Sequence, residues 1–186
     1  GTVVWSRLIP SFKTDEPQNS LAIVGSDVLL GAASGTATMI YRLATSDGSS
    51  VQSWGAAGMV VLAGGFGRIG DIAAMPGGKV SVVNAPTFTG SPTTVIVDRL
   101  LSNGSPDPAF QRYVGSVGGP LTRTAIAGAP DGDIAVTTQR NGAGTVRRLI
   151  GGGDRTPDAV PTDPARLLDT RAGEKTVDGL FQGIGR

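Results

Sequence analysis

Ile72-Ala73-Ala74-Met75-Pro76-Gly77-Gly78-Lys79-Val80-Ser81-Val82 returns further along the chain as Ile126-Ala127-Gly128-Ala129-Pro130-Asp131-Gly132-Asp133-Ile134-Ala135-Val136. The Pro, the second Gly of the turn and the flanking apolar positions align without a gap. A looser copy, one residue shorter and lacking the Pro, runs from Leu21 to Leu30 around Gly25-Ser26-Asp27. Pro-Gly-Gly, Pro-Asp-Gly and Gly-Ser-Asp supply the backbone angles that tight turns demand, and the residues on either side alternate or run apolar. Each copy therefore reads as a β-hairpin, and self-similarity at a period of roughly 50 residues marks a repeat architecture.

Working outward, a second block follows each hairpin: Ile40-Tyr41-Arg42-Leu43, Val97-Asp98-Arg99-Leu100 and Arg147-Arg148-Leu149-Ile150. These read as short strands. Ser46-Asp47-Gly48-Ser49, Ser102-Asn103-Gly104-Ser105 and Gly151-Gly152-Gly153-Asp154 come next, then an apolar residue at Trp54, Phe110 and, in the last copy, Val160. A further strand closes the unit at Met59 to Ala63 and at Tyr113 to Val117. Such a four-stranded unit cannot bury both faces alone, so its neighbours must stack on it. The expectation is an all-β fold of about three propeller-like, stacked four-stranded units, fewer than the ~4–8 blades of a closed propeller and hence an incomplete or open one.

Composition agrees with this reading. Gly at 29 and Pro at 12 favour turns over helix, and two Glu in 186 residues leave little helix-forming charge. Sixteen basic and 15 acidic residues leave a net charge of +1, scattered along the chain, so no footprint for a phosphate backbone is visible and nucleic acid is not an expected partner. The apolar stretches are too short to cross a bilayer, so no membrane insertion is expected. The chain has no Cys and no His, which removes disulfides, thiolate or imidazole metal sites and His-assisted nucleophiles.

The repeat resembles the delta-60 repeat of bacterial secreted and surface proteins. The likeness is carried by Arg42-Leu43 with Ser46-Asp47-Gly48 and Trp54, by Arg99-Leu100 with Asn103-Gly104, Asp107 and Phe110, and by the hairpins at Pro76 to Lys79 and Pro130 to Asp133. It covers most of residues 20 to 160, and it implies a propeller-like fold, an extracellular or cell-surface location and no shared catalytic residues. From Thr156 to Pro164 the chain loses its alternation and gains Pro157, Pro161 and Pro164, which reads as a linker. Arg166-Leu167-Leu168-Asp169-Thr170-Arg171 then resembles the signature that opens an exported β module of high-G+C bacteria. The expected organisation is a β-repeat domain over 1–155, a linker over 156–164 and the start of a second β module or an extended tail over 165–186.

Four motifs invite chemical readings. Gly65-Phe66-Gly67-Arg68-Ile69-Gly70 fits Gly-x-Gly-x-x-Gly and resembles the opening of glyceraldehyde-3-phosphate dehydrogenases. A dinucleotide site needs a helix starting there and an acid about 20 residues on. Pro76-Gly77-Gly78 would stop that helix, and no acid lies between Asp71 and Asp98, so an inter-strand loop is the preferred reading. Asp27, Asp47, Asp71, Asp98, Asp107, Asp131 and Asp133 are the carboxylates open to acid/base work, but most lie where Asp caps its own turn. Asp131-Gly132-Asp133 could contribute oxygens to Ca²⁺, but no spaced run of acids supplies the rest of its six to eight ligands, and Asn103-Gly104-Ser105 is first a turn, although it fits the glycosylation pattern.

The residues singled out for repeat structure or interaction are Arg42, Arg99, Arg148, Trp54 and Phe110. The arginines are expected to pair with a turn Asp of the same or an adjacent unit, the livelier alternative being a ring that binds an anion in a central channel. Trp54 and Phe110 are expected to plug the core. No catalytic, cofactor or metal residues are assigned. The functional expectation is a non-enzymatic extracellular module for protein or surface interaction, partnered by other domains of its parent chain or by other subunits, a homo-oligomer among them. A filament subunit joined through β-edges and a carboxylate-based hydrolase or lyase are the alternatives.

Overall fold

The computed structural model describes residues 1–9, 20–34, 37–62, 69–84, 93–117, 123–140 and 143–151. The segments called linker and second module, and the Val160 position, lie outside the described residues. The strands belong to one unit spanning Gly1–Gly153.

Eleven described strands form three antiparallel sheets, each a meander in which consecutive strands pair. The first contains β1 (Ser20–Val24), β2 (Asp27–Ser34), β3 (Ala37–Ala44) and β4 (Met59–Leu62). The second contains β5 (Ile69–Ala74), β6 (Val80–Asn84), β7 (Thr93–Leu100) and β8 (Tyr113–Val117). The third contains β9 (Arg123–Gly128), β10 (Ile134–Arg140) and β11 (Ala143–Leu149). The fold is thus all-β, as composition and turns suggested; among the described residues the third unit has three strands rather than four.

The turns do what their residues allow. Gly25, Gly77, Gly78 and Gly132 carry positive φ at the hairpins, a region open to Gly without a Cβ clash. Ile69–Ala74 is strand and not helix, so the helix required by a dinucleotide fingerprint does not begin there.

Pairing registers show how the repeat is built. Leu21 faces Leu30, Ile72 faces Val82, and Ile126 faces Val136. One step nearer the turn, Ile23 faces Val28, Ala74 faces Val80, and Gly128 faces Ile134. The three hairpins therefore share one ladder frame, and on the third strand Arg42, Arg99 and Arg148 occupy the same rung, opposite Leu29, Ser81 and Ala135.

The second sheet buries both faces. On one side Ile69, Ile72, Val80, Val82 and Leu100 pack with Val24, Leu29, Ile40, Trp54 and Leu62 of the first sheet and its following loop. On the other, Ala73, Met75, Val83, Val95, Val97 and Phe110 pack with Ile126, Ile134 and Val136 of the third. Strand alternation sends successive residues to opposite sides, so the run Val80 to Val83 feeds both cores. The first strands lie side by side, β5 touching β1 and β9.

Candidate functional site

Four of the five singled-out residues, Arg42, Trp54, Arg99 and Phe110, lie at the faces between sheets, and Arg148 is mostly exposed on the third. Trp54 is 1% exposed in the core between the first and second sheets, and Phe110 is 9% exposed in the core between the second and third. They are equivalent in detail. The Trp54 amide donates to the Val51 carbonyl and the Phe110 amide to that of Asp107, while Val51 and Asp107 in turn donate to the carbonyls of Arg42 and Arg99.

That equivalence exposes an exchange of charges. In the first unit Arg42 Nε donates to Asp27 Oδ2 at 2.8 Å, and in the third Arg148 Nε donates to Asp133 Oδ2 at 2.6 Å. The corresponding hairpin residue of the second unit is Lys79, which could not neutralise an arginine. There the carboxylate comes instead from Asp107, where the first unit has Val51. Asp107 Oδ2 accepts from Arg99 Nε at 2.8 Å and from Lys79 Nζ at 2.9 Å, and Oδ1 accepts from the Ala109 amide at 3.0 Å. A carboxylate has been relocated across the unit together with a hydrophobe-to-acid change. Comparing positions 27, 79 and 133 with 51 and 107 would have revealed it from the sequence.

Arg42 and Arg99 also reach the next sheet. Arg42 Nη1 donates to the Ser102 carbonyl at 3.0 Å, and Arg99 Nη1 to the Gly132 carbonyl at 3.2 Å. Arg99 lies with its guanidinium carbon 4.8 Å from the centroid of the Phe110 ring, within cation–π range. Side-chain exposure separates the three: 14% for Arg42, 2% for Arg99 and 66% for Arg148. The buried Arg99 and the half-buried Arg42 are on third strands between sheets and not on the first strands that touch one another.

The remaining carboxylates are engaged as well. Asp47 and Asn103 each accept from the amide two residues on, Ser49 and Ser105, and Asp131 does so from Asp133. Asp71, named from the sequence only among the carboxylates open to acid/base work, joins three strands. Its Oδ1 accepts from Ser20 Oγ at 2.7 Å, and its Oδ2 accepts from the Ile126 amide at 3.0 Å. The Ile72 amide donates to Ser20 Oγ at 2.9 Å, so a side chain on one first strand caps an amide of the next at both junctions. Spacing within the chain gives no signal for this bond, which exists only because β1, β5 and β9 lie side by side.

Trp5 and Arg7 are likewise tertiary finds. Trp5 Nε1 donates to the Thr45 carbonyl, and Arg7 Nη1 to that of Gly48. The Trp5 ring covers Gly48, where a Cβ would stand 2.6 Å from it.

Two concave regions are described. One, about 630 Å³ and open, lies between Phe110 to Val114 and Arg148 to Ile150. The other, about 340 Å³, is walled by Val60, Leu62 and Leu100 and reached by Asp98, Asp107 and Arg112. Burial pushes the Asp98 carboxyl above the ordinary carboxylate range, and the charge of Arg112, 3.1 Å away, pulls the other way. Asp107 is held below that range. Burial, the largest single influence, would raise it, but the Lys79 and Ala109 hydrogen bonds and the charges of Arg99 and Lys79 outweigh it. Among the described residues no group of three or more Asp or Glu is placed to hold a metal ion. No helix among them is long and apolar enough to cross a membrane.

No family model, curated protein or solved structure matches this chain.

Proposed function

We propose that the chain belongs to a non-enzymatic, extracellular β-repeat module, a propeller-like stack whose role is protein or surface interaction in adhesion, assembly or spacing. The observation that carries this reading is the use to which the carboxylates are put. Asp27, Asp71, Asp107 and Asp133 bond to arginines, to backbone amides or across sheet junctions, and Asp47 and Asp131 close their own turns. Groups that a hydrolase would need for acid/base work hold this scaffold together. The delta-60 likeness of the turns supports an exported, bacterial setting, with other domains of the parent chain or other subunits as partners.

A second reading, a carboxylate-based hydrolase or lyase, is favoured by the cavity that Asp98 and Asp107 share, because opposed shifts of two acids are a pattern of acid/base pairs. Against it, both oxygens of each acid are already engaged, those of Asp98 by Arg112. The discriminating experiment assays glycoside, ester and polyuronate cleavage by the chain and by Asp98→Asn. No turnover above buffer is expected, and turnover abolished in Asp98→Asn would overturn the module reading. Fractionation of cells expressing the parent protein tests location. Recovery at the surface or in the medium is expected, and confinement to the cytoplasm would refute export.

A further inference from the structure

We infer that the exposed face of the first sheet and the exposed face of the third are two halves of one interface, and that a second copy of this chain docks head to tail between them. The inference deepens the interaction-module reading and rests on it.

In the second and third sheets the pairs Ile72/Val82 and Ile126/Val136 are buried against the preceding sheet, at 4%, 0%, 7% and 2% exposure. The same rung of the first sheet holds Leu21 and Leu30, with Tyr41 next in the row. Leu21 is 63% exposed, and Ile23 on the same face is 62% exposed. Leu30 and Tyr41 beside them are half-buried, so the first-strand part of the chemistry that the other two sheets bury is here turned to water.

The opposite end mirrors it. Ile40, Val97 and Val146 share one rung of the third strand, opposite Gly31, Val83 and Thr137. Ile40 and Val97 are fully buried against the following sheet, whereas Val146 is 73% exposed. Two rungs on, Arg42 and Arg99 donate across the junction to Ser102 and Gly132, and the Arg148 side chain, paired with Asp133 within its own sheet, is 66% exposed. The third sheet thus presents what the first two use to hold a successor, and the first presents what the other two use to hold a predecessor. Apolar faces of this kind mark association surfaces, and a head-to-tail contact joins unlike faces and either closes into a ring or grows. Two copies would bring six sheets together, inside the ~4–8 range of closed propellers.

Sedimentation velocity across a concentration series tests this with the full 186-residue chain, Leu21→Glu and Val146→Glu. Both substituted side chains are exposed, so the variants fold. The unmodified chain is expected to form dimers with rising concentration, and each variant alone to associate about tenfold or more weakly. An equimolar mixture of the two variants should regain dimer, because one wild-type face of each kind survives. Three results overturn the proposal: a monomer at every concentration, undiminished dimer in Val146→Glu alone, which means that first sheets pair with each other, or a mixture no better than its parts. A monomer would leave the interaction-module reading intact, while cleavage activity would sink that reading without touching the dimer.

Discussion

Replacing Asp107 with Val gives the second unit the residue found at the equivalent place in the first, Val51, but without the aspartate that the first unit keeps at position 27. Arg99 and Asp107 each have 2% of their side chains exposed, and Lys79 has 34%. Removing the carboxylate would strand one deeply buried guanidinium and crowd a second cation beside it. Breaking a buried pair by deleting one partner costs about 3–5 kcal/mol, against about 0–1 kcal/mol for an exposed pair such as Arg148 with Asp131. At a urea m-value of about 2 kcal/mol/M this lowers the unfolding midpoint by about 2 M. Lys79→Asp added to Asp107→Val rebuilds the first unit's arrangement of hairpin aspartate, third-strand arginine and valine, and should recover about half of the loss or more. The two changes must therefore be strongly non-additive.

The pH dependence supplies an independent readout. Because the Asp107 carboxyl is lowered in the native state, its contribution is complete above the ordinary value of 3.8 and is lost as the pH falls through the lowered native value. The unmodified chain should lose stability over that window and Asp107→Val should lack this part of the decline. Equal costs for Asp107→Val and Asp131→Ala, additivity in the double variant, or an unchanged acid limb would each refute the charge-exchange account.

Further outcomes follow from the same contacts. Trp54→Ala should cost about 3–5 kcal/mol in urea unfolding, and Trp54→Phe, the aromatic used at Phe110, clearly less. Asp71→Ala removes bonds to Ser20 and to the Ile126 amide and should cost about 1–3 kcal/mol, with faster amide exchange at Ile126. Asp98 has the opposite pH behaviour: its raised carboxyl contributes fully below 3.8 and its contribution is lost as the pH rises through the raised native value. Asp98→Asn should therefore flatten stability against pH in that interval, which paired denaturation curves would reveal.

The readings that came from neighbours along the chain match the structure closely. Pro-Gly-Gly and Pro-Asp-Gly set the hairpins, Tyr113 to Val117 is β8, and Met59 begins β4. The ladder registers reproduce the sequence alignment of the three hairpins, including the shorter first copy. Turn chemistry and two-residue alternation are local, so a sequence displays them directly. The aromatic positions were legible for the same reason, since a recurring apolar residue after a polar turn has to be buried.

The arginines divide the two kinds of information. Their recurrence at 42, 99 and 148 is visible in the sequence, and so in principle is the exchange of Asp27 and Val51 for Lys79 and Asp107. How deeply each guanidinium is buried and which carbonyl it reaches in the next sheet depend on how separate meanders stack. So do the span of Asp71 across three first strands and the packing of Trp5 on Gly48. Strands, turns and the repeat are written in the order of the residues, because they follow from φ preferences and side-chain alternation over a few positions. The contacts between sheets arise from folding alone, because charge burial and packing depend on distances in space that no local pattern encodes.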